Sequence, residues 1–226
     1  MSRTPAPRTG SGLRRTTVVV AVLAGAAVLV GCTAEPDRDT EPEPSASTAP
    51  VRKVDLSGLP VARASFCDML DPDELEDALD GPVLDTYHYG NGDEAEITPG
   101  YTDVSHEYNC TFRGAPPATA RTWVFARPAR TDEARRLVRA AESEKRCTVA
   151  ESLQFGTPTV TTACLEREPE PGTRVSTHGL FGDAWLSCEL TVPRDPSRPP
   201  GQQRDEALER TEQWCVDVVT TIGARP

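Results

Sequence analysis

Seven cysteines, three histidines and one dense acidic stretch are the side chains of this 226-residue chain whose chemistry could reach beyond packing. Six of the cysteines, Cys67, Cys110, Cys147, Cys164, Cys188 and Cys215, are spaced by 43, 37, 17, 24 and 27 residues and include no Cys-x-x-Cys pair, which argues against a zinc-thiolate site. An even number of such cysteines points instead to disulfides and an oxidising compartment, although six admit many pairings. Asp85, His88, Asp93, Glu94, Glu96, His106 and Glu107 form the densest set of oxygen and nitrogen donors. Calcium favours such oxygens, yet the spacing fits no EF-hand loop and no helical His-x-x-x-His pair, so the stretch reads as a solvated acidic loop. No metal and no cofactor are expected.

Catalytic signatures are absent. There is no Gly-x-Ser-x-Gly, and adjacent Ser105 and His106 say nothing about a triad, whose members must meet in space. His178 alternates with Ser176 and Leu180 in a strand-like run, the position of a packed or edge histidine. Asn109, Cys110 and Thr111 match a glycosylation sequon by chance, since Cys110 is expected in a disulfide. Recognition has one candidate segment, Gly179 to Trp185. Gly182 and Asp183 suit a tight turn between two strands, and Phe181, Asp183 and Trp185 form a candidate recognition surface at its rim. The plainer reading is a hairpin turn whose aromatics close the core.

The seventh cysteine, Cys32, has a different setting. Arg3, Arg8, Arg14 and Arg15 precede it with no acidic residue among them, and Val18 to Val30 is an apolar run of 13 residues. That run is shorter than the roughly 20 residues of a spanning helix and has the layout of a secretory signal. Leu29, Val30, Gly31 and Cys32 resemble the lipobox of bacterial lipoprotein signal peptides. The resemblance implies cleavage before Cys32 and a diacylglycerol on its sulfur, enough for stable anchoring at roughly 0.8 kcal/mol per buried methylene. Residues 1–31 are therefore expected to be a signal peptide. Thr17 and Val18, after Arg14 and Arg15, disfavour a twin-arginine signal.

Residues 32–60 have the composition of a tether. Glu35, Pro36, Asp37, Asp39, Glu41, Pro42, Glu43, Pro44 and Ser45 offer little to bury, and proline favours an extended, semi-rigid chain. Beyond the leader the chain carries 20 basic against 35 acidic side chains, a balance of −15. Nucleic acid and anionic lipid surfaces would repel it, so nucleic acid is not an expected partner and lipid rather than charge must hold it to a membrane.

Residues 61–226 are long enough for one domain with a real core. Asp71, Pro72, Asp73 and Glu74 read as a capped helix start, with Leu70 placed to staple against Leu75 and Gly81 with Pro82 as the stop. Thr131, Asp132 and Glu133 open a second helix with Ala134, Leu137, Val138 and Ala141 on one stripe, and Lys145 and Arg146 are expected in its last turn. The third runs from about Gln203 to Ile222, with Leu208, Thr211, Cys215, Val218 and Ile222 in line and Trp214 widening the stripe. Between them the period falls to two. Ala184, Leu186, Cys188, Leu190 and Val192 alternate with Trp185, Ser187, Glu189 and Thr191, a strand with one buried face. Arg121 to Ala126, Val160 to Leu165 and Arg174 to Leu180 are further strands, the last two joined by the turn Glu168 to Gly172. The expected fold is α+β: an antiparallel sheet with about three helices packed on it, one disulfide-stapled domain. Sequential pairing is expected, Cys67 to Cys110, Cys147 to Cys164 and Cys188 to Cys215. Cys147 follows a helix and Cys164 sits in the next strand, while the terminal helix should bring Cys215 over the strand of Cys188.

Ser65, Phe66, Cys67, Asp68, Met69, Leu70, then Asn109, Cys110, Thr111, Phe112, then Gly179, Leu180, Phe181, Gly182, Asp183, Ala184 resemble, in that order, the DUF3558 group of actinobacterial lipoproteins. Members show a Cys-x-Leu-Leu start, a Cys-Thr-Trp strand and a Gly-x-Gly-Asp-x-Ala turn. Here Phe112 replaces the usual Trp, an extra Phe separates the glycines, and four cysteines are additional. The resemblance implies a Cys67–Cys110 disulfide and an envelope lipoprotein, and it carries over no catalytic residue. The bias of 22 Arg against 2 Lys, Lys53 and Lys145, suits such a high-GC source.

Together these features lead to the expectation of a lipid-anchored extracytoplasmic protein that binds or scaffolds an envelope protein, a lipid or a cell-wall polymer. The alternative is an envelope hydrolase with a scattered site.

Overall fold

A computed structural model describes residues 55–223 apart from 99, 116, 152 and 168–170. Cys32, the signal-peptide stretch 1–31 and the tether up to residue 54 lie outside the described residues. The described residues fall within one compact unit.

The first helix, α1 (Pro72–Leu79), starts as its sequence requires. The Asp71 side chain accepts a hydrogen bond from the Asp73 N–H, Pro72 occupies the first turn, and Asp73 and Glu74 complement the helix dipole. The chain leaves α1 through Asp80 in the left-handed region. Three strands follow, β1 (Val83–Tyr89), β2 (Glu94–Thr98) and β3 (Tyr101–Val104), and then β4 (Glu107–Gly114) and β5 (Thr119–Phe125). Helix α2 (Thr131–Glu142) ends before Lys145 and Arg146, which therefore lie beyond the helix and not in its last turn; Arg146 has φ +69°. The rest of the fold is β6 (Cys147–Ala150), β7 (Thr159–Glu166), β8 (Gly172–Phe181), β9 (Ala184–Pro193) and α3 (Pro200–Gly223).

Seven strands make one antiparallel sheet in the order β1-β4-β5-β9-β8-β7-β6, and β2 pairs with β3 as a separate two-stranded ribbon. The α+β expectation holds, with three α-helices among the described residues. Alternation assigns the two faces. Cys110, Phe112, Val124, Leu186, Cys188 and Leu190 point into the main core, where Trp214, Cys215, Val218 and Val219 of α3 and Leu75 and Leu79 of α1 meet them. Leu180 and Trp185 point the other way and pack with Ala134 of α2. Both faces of β9 are thus buried over its first half, so Trp185 and Ser187 are as enclosed as Leu186 and Cys188. No helix among the described residues is long and apolar enough to cross a membrane.

Two disulfides staple this core. Cys67, in a 3₁₀ turn ahead of α1, is bonded to Cys110 of β4, and Cys147 of β6 is bonded to its cross-strand partner Cys164 of β7. The expected third bridge is corrected. Cys188 and Cys215 are both buried free thiols, adjacent where α3 crosses β9, and burial with the neighbouring Cys188 pushes the Cys215 thiol well up.

The tether boundary also moves. Leu56 is 3 % exposed, its N–H bonds the Gln154 carbonyl at 3.0 Å, and Asp55 forms a parallel bridge with Gln154, so residues 55–60 belong to the fold and not to the tether. The same 153–156 segment crosses the end of β8 closely enough that a Cβ on Gly179 would lie 1.6 Å from the Phe155 carbonyl oxygen.

Candidate functional site: a polar strip and an open sheet edge

Helix α2 packs on β6, β7 and β8, which leaves the β1, β4 and β5 half of that face without a helix of its own. A strip of polar and aromatic side chains runs from this half into the covered half. At its open end the Arg121 Nε donates to Asn109 Oδ1 at 2.7 Å, and its terminal nitrogen donates to Glu107 Oε1 at 3.0 Å and to the Tyr89 hydroxyl at 3.2 Å. The Tyr89 hydroxyl itself donates to Glu107 at 2.7 Å. Burial and this carboxylate push Tyr89 up to about 12. The guanidinium also lies 4.3 Å above the Trp123 ring, its neighbour two residues along β5.

Trp123 leads to His178, whose ring lies 6.0 Å away and stacks on Trp185 at 6.2 Å. His178 Nδ1 shares a 2.8 Å hydrogen bond with the Ser187 hydroxyl. Burial and the charge of Arg174 lower His178 to about 4, so it is neutral at physiological pH. Ser187 is fully buried, which keeps any carbonyl substrate from its oxygen. The pair is a packing contact, as the alternation of His178 with Ser176 and Leu180 implies. The strip ends at Arg174, which reaches Glu166 at 2.8 Å, Glu144 at 2.6 Å and Glu189 at 3.3 Å. Its polar groups satisfy one another and leave no activated nucleophile.

The candidate recognition surface resolves into the plainer of its two readings. Phe181 is 2 % exposed and packs edge-on against Phe155 at 5.0 Å, and Trp185 lies under α2. Neither is a rim anchor. The turn between them is as expected, with Phe181 paired to Ala184 and Gly182 at φ +62°. Asp183 alone is exposed, and it is tied to Arg63 at 3.2 Å.

The acidic stretch requires the largest correction, because it is not a loop. Asp85 and His88 lie on β1, Glu94 and Glu96 on β2 and Glu107 on β4, with Asp93 and His106 at the junctions. Asp85 pairs with Arg113 at 3.6 Å and Glu107 with Arg121. These donors do not converge. Among the described residues the ligand atoms of Glu144, Cys147 and Cys164 come within 4.8 Å of one another, and the two sulfurs there are bonded together.

What the stretch builds is an edge. β1 stands at the end of the sheet, five of its seven residues are exposed, and no described strand pairs with its outer side. Leu84 and Tyr87 are 67 % and 42 % exposed there. Beyond Tyr89 the hairpin continues as the β2–β3 ribbon, held by Gly92 N–H to Ser105 O at 2.9 Å and Ser105 N–H to Asp93 O at 2.8 Å, with Gly92 at φ +94°. Residues 83–112 carry six carboxylates and no Lys or Arg. Asp93, Glu94, Glu96 and Asp103 have no ion-pair partner among the described residues. The Val104 N–H and the Tyr101 hydroxyl hold Asp103 low, hence charged. The signal in the sequence was this missing basic charge over thirty residues with β-branched and aromatic residues between the acids.

The sequence matches no protein-family model and no curated protein.

Proposed function

We propose that the chain is a lipid-anchored protein of the extracytoplasmic face of a bacterial membrane, and that its domain binds or scaffolds another envelope component instead of catalysing a reaction. The observation that carries this reading is the partition of the cysteines: four are joined in two disulfides within the domain, two are sealed under α3, and Cys32 stands apart after a basic and apolar leader. Disulfides of this kind persist in oxidising compartments, and a lone cysteine after Leu29, Val30 and Gly31 is the acceptor that lipidation requires. The resemblance to DUF3558 lipoproteins agrees with it. Binding is favoured over hydrolysis because the histidine most enclosed by the fold is neutral and bonded to a buried serine, whereas the open edge and ribbon offer a contact surface.

Expression of the full chain and of Cys32→Ala in a bacterial host, with membrane fractionation and intact mass, tests the reading. The wild type should be membrane-bound with a mature N-terminus at Cys32 and a diacylglycerol mass increment, and Cys32→Ala should be released or left unprocessed. Unchanged membrane retention of Cys32→Ala would refute lipid anchoring.

A further inference from the structure

We propose that the outer edge of β1 is a docking site for an extended, basic polypeptide segment of a partner protein, which joins the sheet as an eighth strand. The proposal rests on the binding-module reading and names its partner's chemistry.

Edges of natural sheets are usually blunted by brevity, Lys, Pro or a covering element, because a row of free N–H and C=O groups templates another strand. The two edges of this sheet differ in that respect. β6 has four residues and is cross-linked to β7 by Cys147–Cys164. β1 has seven residues, contains no Lys and no Pro, and is exposed over five of them; its register against β4 shifts between Val83 and Asp85, so the regular free edge runs from Asp85 to Tyr89. Added strands gain affinity from main-chain hydrogen bonds and selectivity from alternate side chains. Leu84 and Tyr87 supply apolar surface for those side chains, and Tyr87 is braced by the Tyr89 ring at 5.6 Å.

Charge selects the occupant. A segment lying along β1 and past Tyr89 meets the ribbon carboxylates Asp93, Glu94, Glu96 and Asp103, which have no Lys or Arg partner among the described residues. A second copy paired edge to edge would bring another acidic 83–112 hairpin with no Lys or Arg to answer them. A nucleic acid would be repelled outright. A basic extended segment alone satisfies both the backbone and the charge.

The test uses the purified full chain in detergent and the synthetic peptide Arg-Val-Arg-Val-Arg-Val-Arg, with a counterpart N-methylated at alternate residues. The expected result is saturable binding that slows amide exchange in residues 83–89. N-methylation should weaken it at least about tenfold, as should the combined Asp93→Asn, Glu94→Gln, Glu96→Gln and Asp103→Asn variant, whose sites are solvent-facing. Raising salt from about 0.05 to 0.5 M should also weaken it, since exposed charges are screened. Equal binding of the N-methylated peptide, protection confined to another segment, or no saturation by about 1 mM peptide would overturn the proposal, as would a β1-mediated dimer that excludes the peptide. If photo-crosslinks in intact cells join a partner to a face other than β1, strand addition is wrong and the binding module stands. If no surface of the domain crosslinks and the peptide fails, both readings fall.

Discussion

Cutting the Cys67–Cys110 bridge should destabilise the domain more than cutting Cys147–Cys164, and the difference can be worked from the fold. The bridges close loops of 43 and 17 residues. Loop-closure entropy then assigns them about 4 and about 3 kcal/mol at 25 °C, a gap of about 0.8 kcal/mol. Surroundings widen it. Cys110 is fully buried among Phe66, Phe112 and Leu79, so loss of its sulfur leaves unfilled volume in the main core at about 1 kcal/mol more. Cys147 sits half-buried on the four-residue edge strand, and Cys164, although 2 % exposed, lies outside the main core that Cys110 helps to fill, so its neighbours can close over the loss.

The assay is urea unfolding of the Cys67→Ala/Cys110→Ala and Cys147→Ala/Cys164→Ala double variants, followed by tryptophan fluorescence, since Trp214 lies in the core against Phe112 at 6.3 Å. With a urea slope of about 2 kcal/mol/M, the first variant should lose about 2.5 M in midpoint and the second about 1.5 M. Equal losses, or a larger loss for Cys147 and Cys164, would refute the reasoning, because neither loop length nor burial would then govern the effect.

Acid should destabilise the fold through His178. Folded His178 titrates near 4 and an unfolded histidine near 6.5, so between these values the unfolded chain takes up a proton that the folded chain refuses. Stability should fall as pH falls across that window, by up to about 3 kcal/mol, and His178→Gln should flatten the slope in urea midpoints measured from pH 7 to 4.5. Glu74 and Asp217, both raised by burial and nearby carboxylates, act in the opposite sense, so the comparison between wild type and variant is the decisive one. Thiol alkylation should label no cysteine of the native domain and two after denaturation without reductant, Cys188 and Cys215. No labelling after denaturation would show the pair bonded.

Much of the fold was legible because several residues agreed on each element. Asp71, Pro72 and Glu74 mark the start of α1 by three separate effects, and the stripe from Leu208 to Ile222 marks α3. β1 was not legible as a strand. An edge strand open to solvent on both sides loses the alternation that signals a half-buried one, and Asp85 and His88 then read as loop. For Trp185 the sequence leaves a rim position and a core-closing one both open, since periodicity reveals a strand's two faces but not that α2 covers the second. Leu56 was assigned to the tether because its partner, Gln154, lies nearly a hundred residues away.

The cysteines show where such reasoning meets a geometric limit. Cys147 and Cys164 are direct partners in an antiparallel ladder, and strand register alone brings their Cα atoms to 4.0 Å. For Cys188 and Cys215 the strand pattern and the helical stripe correctly bring both thiols to one side of one interface. A disulfide demands more, with Cβ atoms within about 3.5–4.5 Å and a restricted dihedral. A helix lying across a sheet has freedom to roll and slide that a ladder lacks, so a stripe locates a thiol to within about a turn, and only packing decides whether it bonds. Here Thr122 and Thr177 flank the pair from the sheet, the Thr122 hydroxyl lying 3.8 Å from the Cys188 sulfur, and the thiols are held as neighbours inside the core.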